Sequence, residues 1–78
     1  MTELYVRHAR LDGKSVAVLK AVDHGDRCVV EAEVWPKASP ESAIAPGPYT
    51  FPSAVEATRF VTHAVEALIA LGCDVRAA

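Results

Sequence analysis

The stretch Leu4–Trp35, LYVRHARLDGKSVAVLKAVDHGDRCVVEAEVW, decides the fold. It is rich in Val, short of helix caps, and broken at two places. Asp12-Gly13 is a strong two-residue hairpin signal, because a type I′ turn needs positive φ at both central positions and Asp and Gly accept it at little steric cost. His24-Gly25 is a weaker signal of the same kind. Three strands are therefore expected, at about 4–11, 15–22 and 27–35. Two-residue loops would pair Leu11 with Lys14 and Leu4 with Ala21 in the first hairpin, and Val18 with Glu31 in the second. One face then collects Leu4, Val6, His8, Ala17, Leu19, Ala21, Cys28, Val30, Ala32 and Val34, nearly all apolar. The other collects Tyr5, Arg7, Ala9, Leu11, Val16, Val18, Lys20, Val29, Glu31, Glu33 and Trp35. That separation predicts an antiparallel meander with one buried face.

Downstream, residues 36–48 hold four of the five prolines and read as a loop that cannot carry a regular ladder. Such a long loop is usually functional or disordered. Tyr49-Thr50-Phe51 fits a short fourth strand at the edge. A helix is expected over 53–71. Ser53 can cap it and Glu56, three residues on, can complete a capping box, while Gly72 provides the stop. At 100° per residue Ala57, Phe60, Val61, Ala64, Val65, Leu68 and Leu71 form one stripe, opposite Glu56, Arg59, His63 and Glu66. Asp74 to Ala78 is a tail or a short strand. The whole predicts one α+β domain over 1–78, a two-layer structure in which a three- or four-stranded antiparallel meander carries one C-terminal helix on one face.

Bulk properties narrow the function classes. A chain of 78 residues has room for one core and, at this size, buries roughly 60% of its unfolded surface. With 8 Lys+Arg against 10 Asp+Glu and a pI near 5.8, it lacks the overall positive field that draws nucleic acid. No apolar run approaches the roughly 18 residues needed to span a bilayer, and Met1-Thr2-Glu3 is not the start of a secretory signal. The expectation is a full-length, intracellular, cytoplasmic protein of bacterial type.

Candidate chemistry is sparse. His8, His24, Cys28, His63 and Cys73 stand at no spacing that preorganises a metal site, and two cysteines without a secretory signal do not make a disulfide framework. Both thiols are expected buried and free, with no cofactor. His8 and Cys28 share the predicted apolar face, but strand two would separate them by about 10 Å, too far for a nucleophile pair. Glu31 and Glu33 point to one side of their strand, as a catalytic carboxylate pair would, yet a cross-strand charge pairing with Arg7 explains them without catalysis. Tyr5, Arg7, Lys20 and Trp35 offer the aromatic and basic mix that holds single strands, and the two glutamates beside them oppose it.

Pro48-Tyr49-Thr50-Phe51, Glu56-Ala57, Phe60, Ala64, Leu68 and Leu71-Gly72-Cys73 resemble the C-terminal signature of a family of small bacterial β-β-β-(β)-α proteins of unknown function. These are mostly cap and core positions, so the resemblance implies a fold and no active site. The element order is also similar to the single-strand-binding coactivator fold and to the half-ribonuclease-H fold of HicB-type antitoxins.

The sequence therefore points to a small non-enzymatic protein-interaction domain. The alternative is a single-stranded nucleic-acid-binding or antitoxin-like regulator, which would need a basic groove made at a dimer interface. The helix can cover only one side of the sheet, and the expected contact surface is the other: Tyr5, Arg7, Val16, Val18, Lys20, Val29, Glu31, Glu33 and Trp35. A second copy of the chain is its expected partner, with a different protein as another candidate, and Arg7 and Lys20 would then meet Glu31 and Glu33 across a two-fold axis.

Overall fold

The computed structural model describes residues 1–36 and 41–77. Its elements are β1 (Thr2–Leu11), β2 (Lys14–Asp23), β3 (Cys28–Val34), β4 (Tyr49–Phe51), α1 (Ala54–Ala70) and β5 (Asp74–Ala77). The strands make one antiparallel sheet in the order β4-β3-β2-β1-β5. The two-layer α+β architecture is as expected, with a fifth strand where the sequence left a tail or a strand. Of the 36–48 loop, residues 37–40 lie outside the described residues, as does Ala78. Ile44 makes one isolated bridge to Val34, with both backbone bonds at 2.7 Å.

The first hairpin closes as its turn residues dictate, with Asp12 at φ 53° and Gly13 at φ 79°. Leu11 pairs with Lys14 and Arg10 with Ser15, but the register then shifts: Ala9 faces Ala17, Arg7 faces Leu19 and Tyr5 faces Ala21, until a second shift returns Glu3 to Val22. Val16 is the extra residue of one bulge and Leu4 of the other. Side chains alternate with period two, so a slip of one residue turns every side chain between the bulges to the opposite face. The expected faces of β1 are thus inverted. Tyr5, Arg7 and Ala9 look toward the helix, and Val6 and His8 look away.

The second hairpin also differs, but without that consequence. Asp23 pairs with Cys28, so the turn holds His24–Arg27 instead of His24-Gly25 alone. Asp23 Oδ1 accepts the Gly25 N–H at 2.8 Å and His24 N–H donates to Arg27 O at 2.9 Å. An aspartate that bonds backbone two residues on builds a local turn of its own, which here moves the reversal outward. Glu31 consequently faces Lys20, and Glu33 faces Val18. A slip of two preserves the faces, so those of β2 and β3 are as expected apart from Val16 at the bulge.

Helix α1 begins at the expected cap: Ser53 is extended and its Oγ accepts the Glu56 N–H at 3.4 Å. Gly72, at φ 96°, terminates it. Gly72 N–H donates to Ile69 O at 2.9 Å and Cys73 N–H to Leu68 O at 3.0 Å, the paired bonds of a Schellman motif. That motif turns the chain straight into β5 on the outer edge of β1.

The core lies between α1 and the sheet. One cluster joins Leu19, Ala21, Cys28, Val30 and Ala32 to Ala57 and Val61, and a smaller one joins Ala9, Ala17 and Cys73. Alanines at Ala9, Ala17, Ala21 and Ala57 are all buried, which lets the helix backbone approach the strands closely. Phe60 closes the far end against Tyr49 and Phe51, with ring centroids 4.9 and 5.3 Å away.

Candidate interaction face

The side of the sheet away from α1 follows from the ladder. Val18, Lys20, Val29, Glu31 and Glu33 occupy it as the sequence predicts. Tyr5, Arg7 and Val16 do not. Tyr5 Oη donates to Thr58 Oγ1 on the helix at 2.9 Å, and the Arg7 guanidinium sits 4.9 Å from the Tyr5 ring centroid while Nη1 donates to Val6 O at 3.0 Å. Val16, at the bulge, packs on the Ala9, Ala17 and Cys73 cluster. Trp35 lies just beyond β3, half-buried, with its N–H on Val16 O at 2.9 Å. Arg7 therefore does not reach Glu31 and Glu33 across an interface as expected, since the sheet separates them.

Four residues of β1 stand on it instead: Glu3, Val6, His8 and Arg10. Strand β5 adds Asp74 opposite Arg10 and Arg76 opposite His8. The face therefore has rows that run across the strands. Arg76, His8, Val18 and Glu33 form one, and Val6, Lys20 and Glu31 form the next. Val6, Val18 and Val29 are half-buried and Val22 is nearly covered. Val18 and Val22 stand along the middle with Lys20 between them, Glu3, His8, Arg10, Asp74 and Arg76 lie on the β1–β5 flank, and Glu31 and Glu33 on the β3 flank.

Among the described residues, close polar contacts on this face are few. Lys20 Nζ lies 3.9 Å from Glu31 Oε2, and both side chains are half-exposed or more, so the pair adds little stability. Residues Ala45, Pro46 and Pro48 rise beside β3 and enclose, with Val18, Lys20, Glu31 and Glu33, an open recess of about 270 Å3. A second, of about 290 Å3, lies over His8, Arg10, Asp74 and Arg76. His8 Nε2 and Ser15 Oγ are 2.9 Å apart, a serine and an imidazole in the contact that nucleophilic catalysis uses. The carboxylate that could orient the ring is otherwise engaged: Asp74 Oδ2 accepts from Arg76 Nε at 2.9 Å.

The remaining candidates are dispersed. His8 and Cys28 are on opposite faces of the sheet. Cys28 and Cys73 are free and buried, and His63 Nδ1 is 3.3 Å from Glu66 Oε1 on the exposed side of the helix. Among the described residues no three His, Cys, Asp or Glu side chains gather as metal ligands, and no helix is long and apolar enough to cross a membrane.

The sequence missed His8, Arg10, Ser15, Asp74 and Arg76 as members of the face. Ser15 and Arg10 pair as the Asp12-Gly13 turn requires, so their association was available. His8 shares Arg10's side of β1 in either register, but nothing in the β1 pattern announces the bulges that turn them to the helix-free face. Comparison of the chain with protein-family models, with curated proteins and with solved structures yields no match.

Proposed function

We propose that the chain is a homodimeric protein-interaction module, without catalytic activity, whose contact surface is the helix-free face. The observation that carries this reading is that no element among the described residues covers that face, on which Val6, Val18 and Val29 stand half-buried among Glu3, Arg10, Asp74 and Arg76 on one side and Glu31 and Glu33 on the other. A half-buried apolar patch among charges of both signs can meet a second copy of itself under two-fold rotation, the relation most homodimers use. The reverse side of the sheet has its own cover, α1. Stacking a second sheet at about 10 Å would remove Val6, Val18 and Val29 from water.

Light scattering or sedimentation at micromolar concentration is expected to give twice the 8.3 kDa chain mass. Val18→Glu, in the middle of the strip, should shift the population to monomer, because a carboxylate would be desolvated without a partner. A wild-type monomer with unaltered mass up to high concentration would overturn the reading. Binding of a random single-stranded oligonucleotide at micromolar concentration, weakening steeply with salt, would replace it with the nucleic-acid-binding or antitoxin-like alternative. Two residues on which that alternative drew, Tyr5 and Arg7, are engaged on the helix side.

A further inference from the structure

We infer that His8 makes the homodimer sensitive to pH: the second copy seats on the helix-free face while this imidazole is neutral, and protonation releases it. This rests on the homodimer reading above and adds its regulation.

The place of His8 follows from what already stands on the face. Ala45, Pro46 and Pro48 rise over the β3 flank and close a recess there against Val18 and Lys20. The part left open to a second sheet is made by β5, β1 and β2, and His8 lies in its middle. Arg76 and Val18 flank it across the strands, and Val6 and Arg10 lie on either side of it along β1. Within one chain the residue is already half-buried, with Nε2 2.9 Å from Ser15 Oγ. A layer seated on Val6 and Val18 covers the rest of the ring.

A neutral imidazole tolerates that cover. It has one donor and one acceptor nitrogen, and the Ser15 hydroxyl satisfies Nε2 in either tautomer. An imidazolium needs a carboxylate or water, and burying it with neither is costly. The charged groups around it do not supply the carboxylate. On β5, Asp74 Oδ2 accepts from Arg76 Nε at 2.9 Å. On β1, Arg10 is a further cation, and Glu3 lies at the far end of the strand. On β2, Lys20 has Glu31 at 3.9 Å. Glu33 shares the row of His8 but stands two strands away, about 10 Å, and α1 packs on the other side of the sheet. A two-fold partner brings this same set, with Asp74 again committed to Arg76 and Arg10 again in excess.

Proton linkage then fixes the direction. The associated state excludes the charged ring, so affinity is full above the ordinary imidazole value of about 6.5. It falls as pH drops through that value, by up to about tenfold per pH unit for each chain's ring.

Sedimentation at about pH 8 and about pH 5.5, at one ionic strength, brackets that range. The wild-type dissociation constant should rise roughly tenfold or more at the lower pH. His8→Asn, polar but not titratable, should dimerise equally at both, and His8→Lys, charged throughout, should be weakened at both. His24→Gln, in the β2–β3 turn, and His63→Gln, on the exposed side of α1, should keep the wild-type response. Circular dichroism and the unfolding midpoint check that each variant is folded. A wild-type affinity that does not change with pH, an undiminished response in His8→Asn, or wild-type affinity in His8→Lys overturns the role of His8 and leaves the dimer standing. A wild type that is monomeric at the higher pH overturns the dimer, and this inference with it.

Discussion

The two sides of this sheet solve opposite packing problems with neighbouring residues of the same strands. Toward α1, β2 presents Ala17, Leu19 and Ala21, and β3 presents Cys28, Val30 and Ala32, all buried. Toward the other side the same strands present Val18 and Lys20, and Val29, Glu31 and Glu33, which stay half-exposed or exposed apart from the nearly covered Val22. The first side is built of small residues because a helix must come close. The second carries branched side chains and charges that no element among the described residues covers fully. A surface that is packed to its limit tolerates no added volume, whereas one that is partly wet tolerates it readily.

Adjacent substitutions on β2 break the comparison most sharply. Ala21 is fully buried against the helix. Ala21→Leu inserts three carbons where no space exists and is expected to cost about 3 kcal/mol. Lys20→Leu, one residue earlier and on the other face, should change stability by less than about 0.5 kcal/mol. Chemical denaturation of both variants at one protein concentration measures the difference. Equal destabilisation would mean that the faces of β2 are not distinct.

A smaller effect tests whether the helix is held by its own terminus or only by the sheet. Ser53 Oγ accepts the Glu56 N–H at 3.4 Å, near the long limit of such bonds. Ser53→Ala is expected to lower stability by about 1 kcal/mol, and Ser53→Asn to restore most of it. An unfolding midpoint unchanged by the alanine would place the whole burden of the helix on Ala57, Val61 and the other residues that face the strands.

How much of this was legible beforehand depends on which local rule governed each element. The helix was readable because its signals are chemical and fixed in position: Ser53 at the start, Gly72 at the stop and an apolar stripe between, of which the expected last member, Leu71, is 74% exposed at the C-cap. The faces of β2 and β3 were readable although their hairpin was misjudged, because Asp23 displaced the register by two residues and an even slip returns every side chain to its own face. Strand β1 failed for the converse reason. A bulge is an odd slip, and Val16 and Leu4 look like any other strand residues, so the pattern alone places Val6 and His8 in the core and Tyr5 and Arg7 on the open face. Strand β5 has four residues, too few to show a period. The candidate face suffered most from this, since most of its charged residues come from β1 and β5.

The inversion of β1 is itself measurable, and its energetic signature is the smallest of the set. Tyr5 Oη and Thr58 Oγ1 are 53 positions apart in sequence and meet only if the tyrosine lies on the helix side. The bond is exposed, so its net worth is about 0.5 kcal/mol, and either single substitution could produce that much through unrelated changes in hydration. A double-mutant cycle removes the ambiguity. Tyr5→Phe and Thr58→Val should each destabilise by about 0.5 kcal/mol, and the double variant by little more than either, which leaves a coupling near 0.5 kcal/mol. Val6 supplies the control: Val6→Thr combined with Thr58→Val should be additive, since a sheet lies between the two sites. Additivity in the tyrosine pair together with coupling in the valine pair would restore the unbulged register. It would return Tyr5 and Arg7 to the helix-free face and take Val6 and His8 off it, which would undo the contact surface proposed for the dimer.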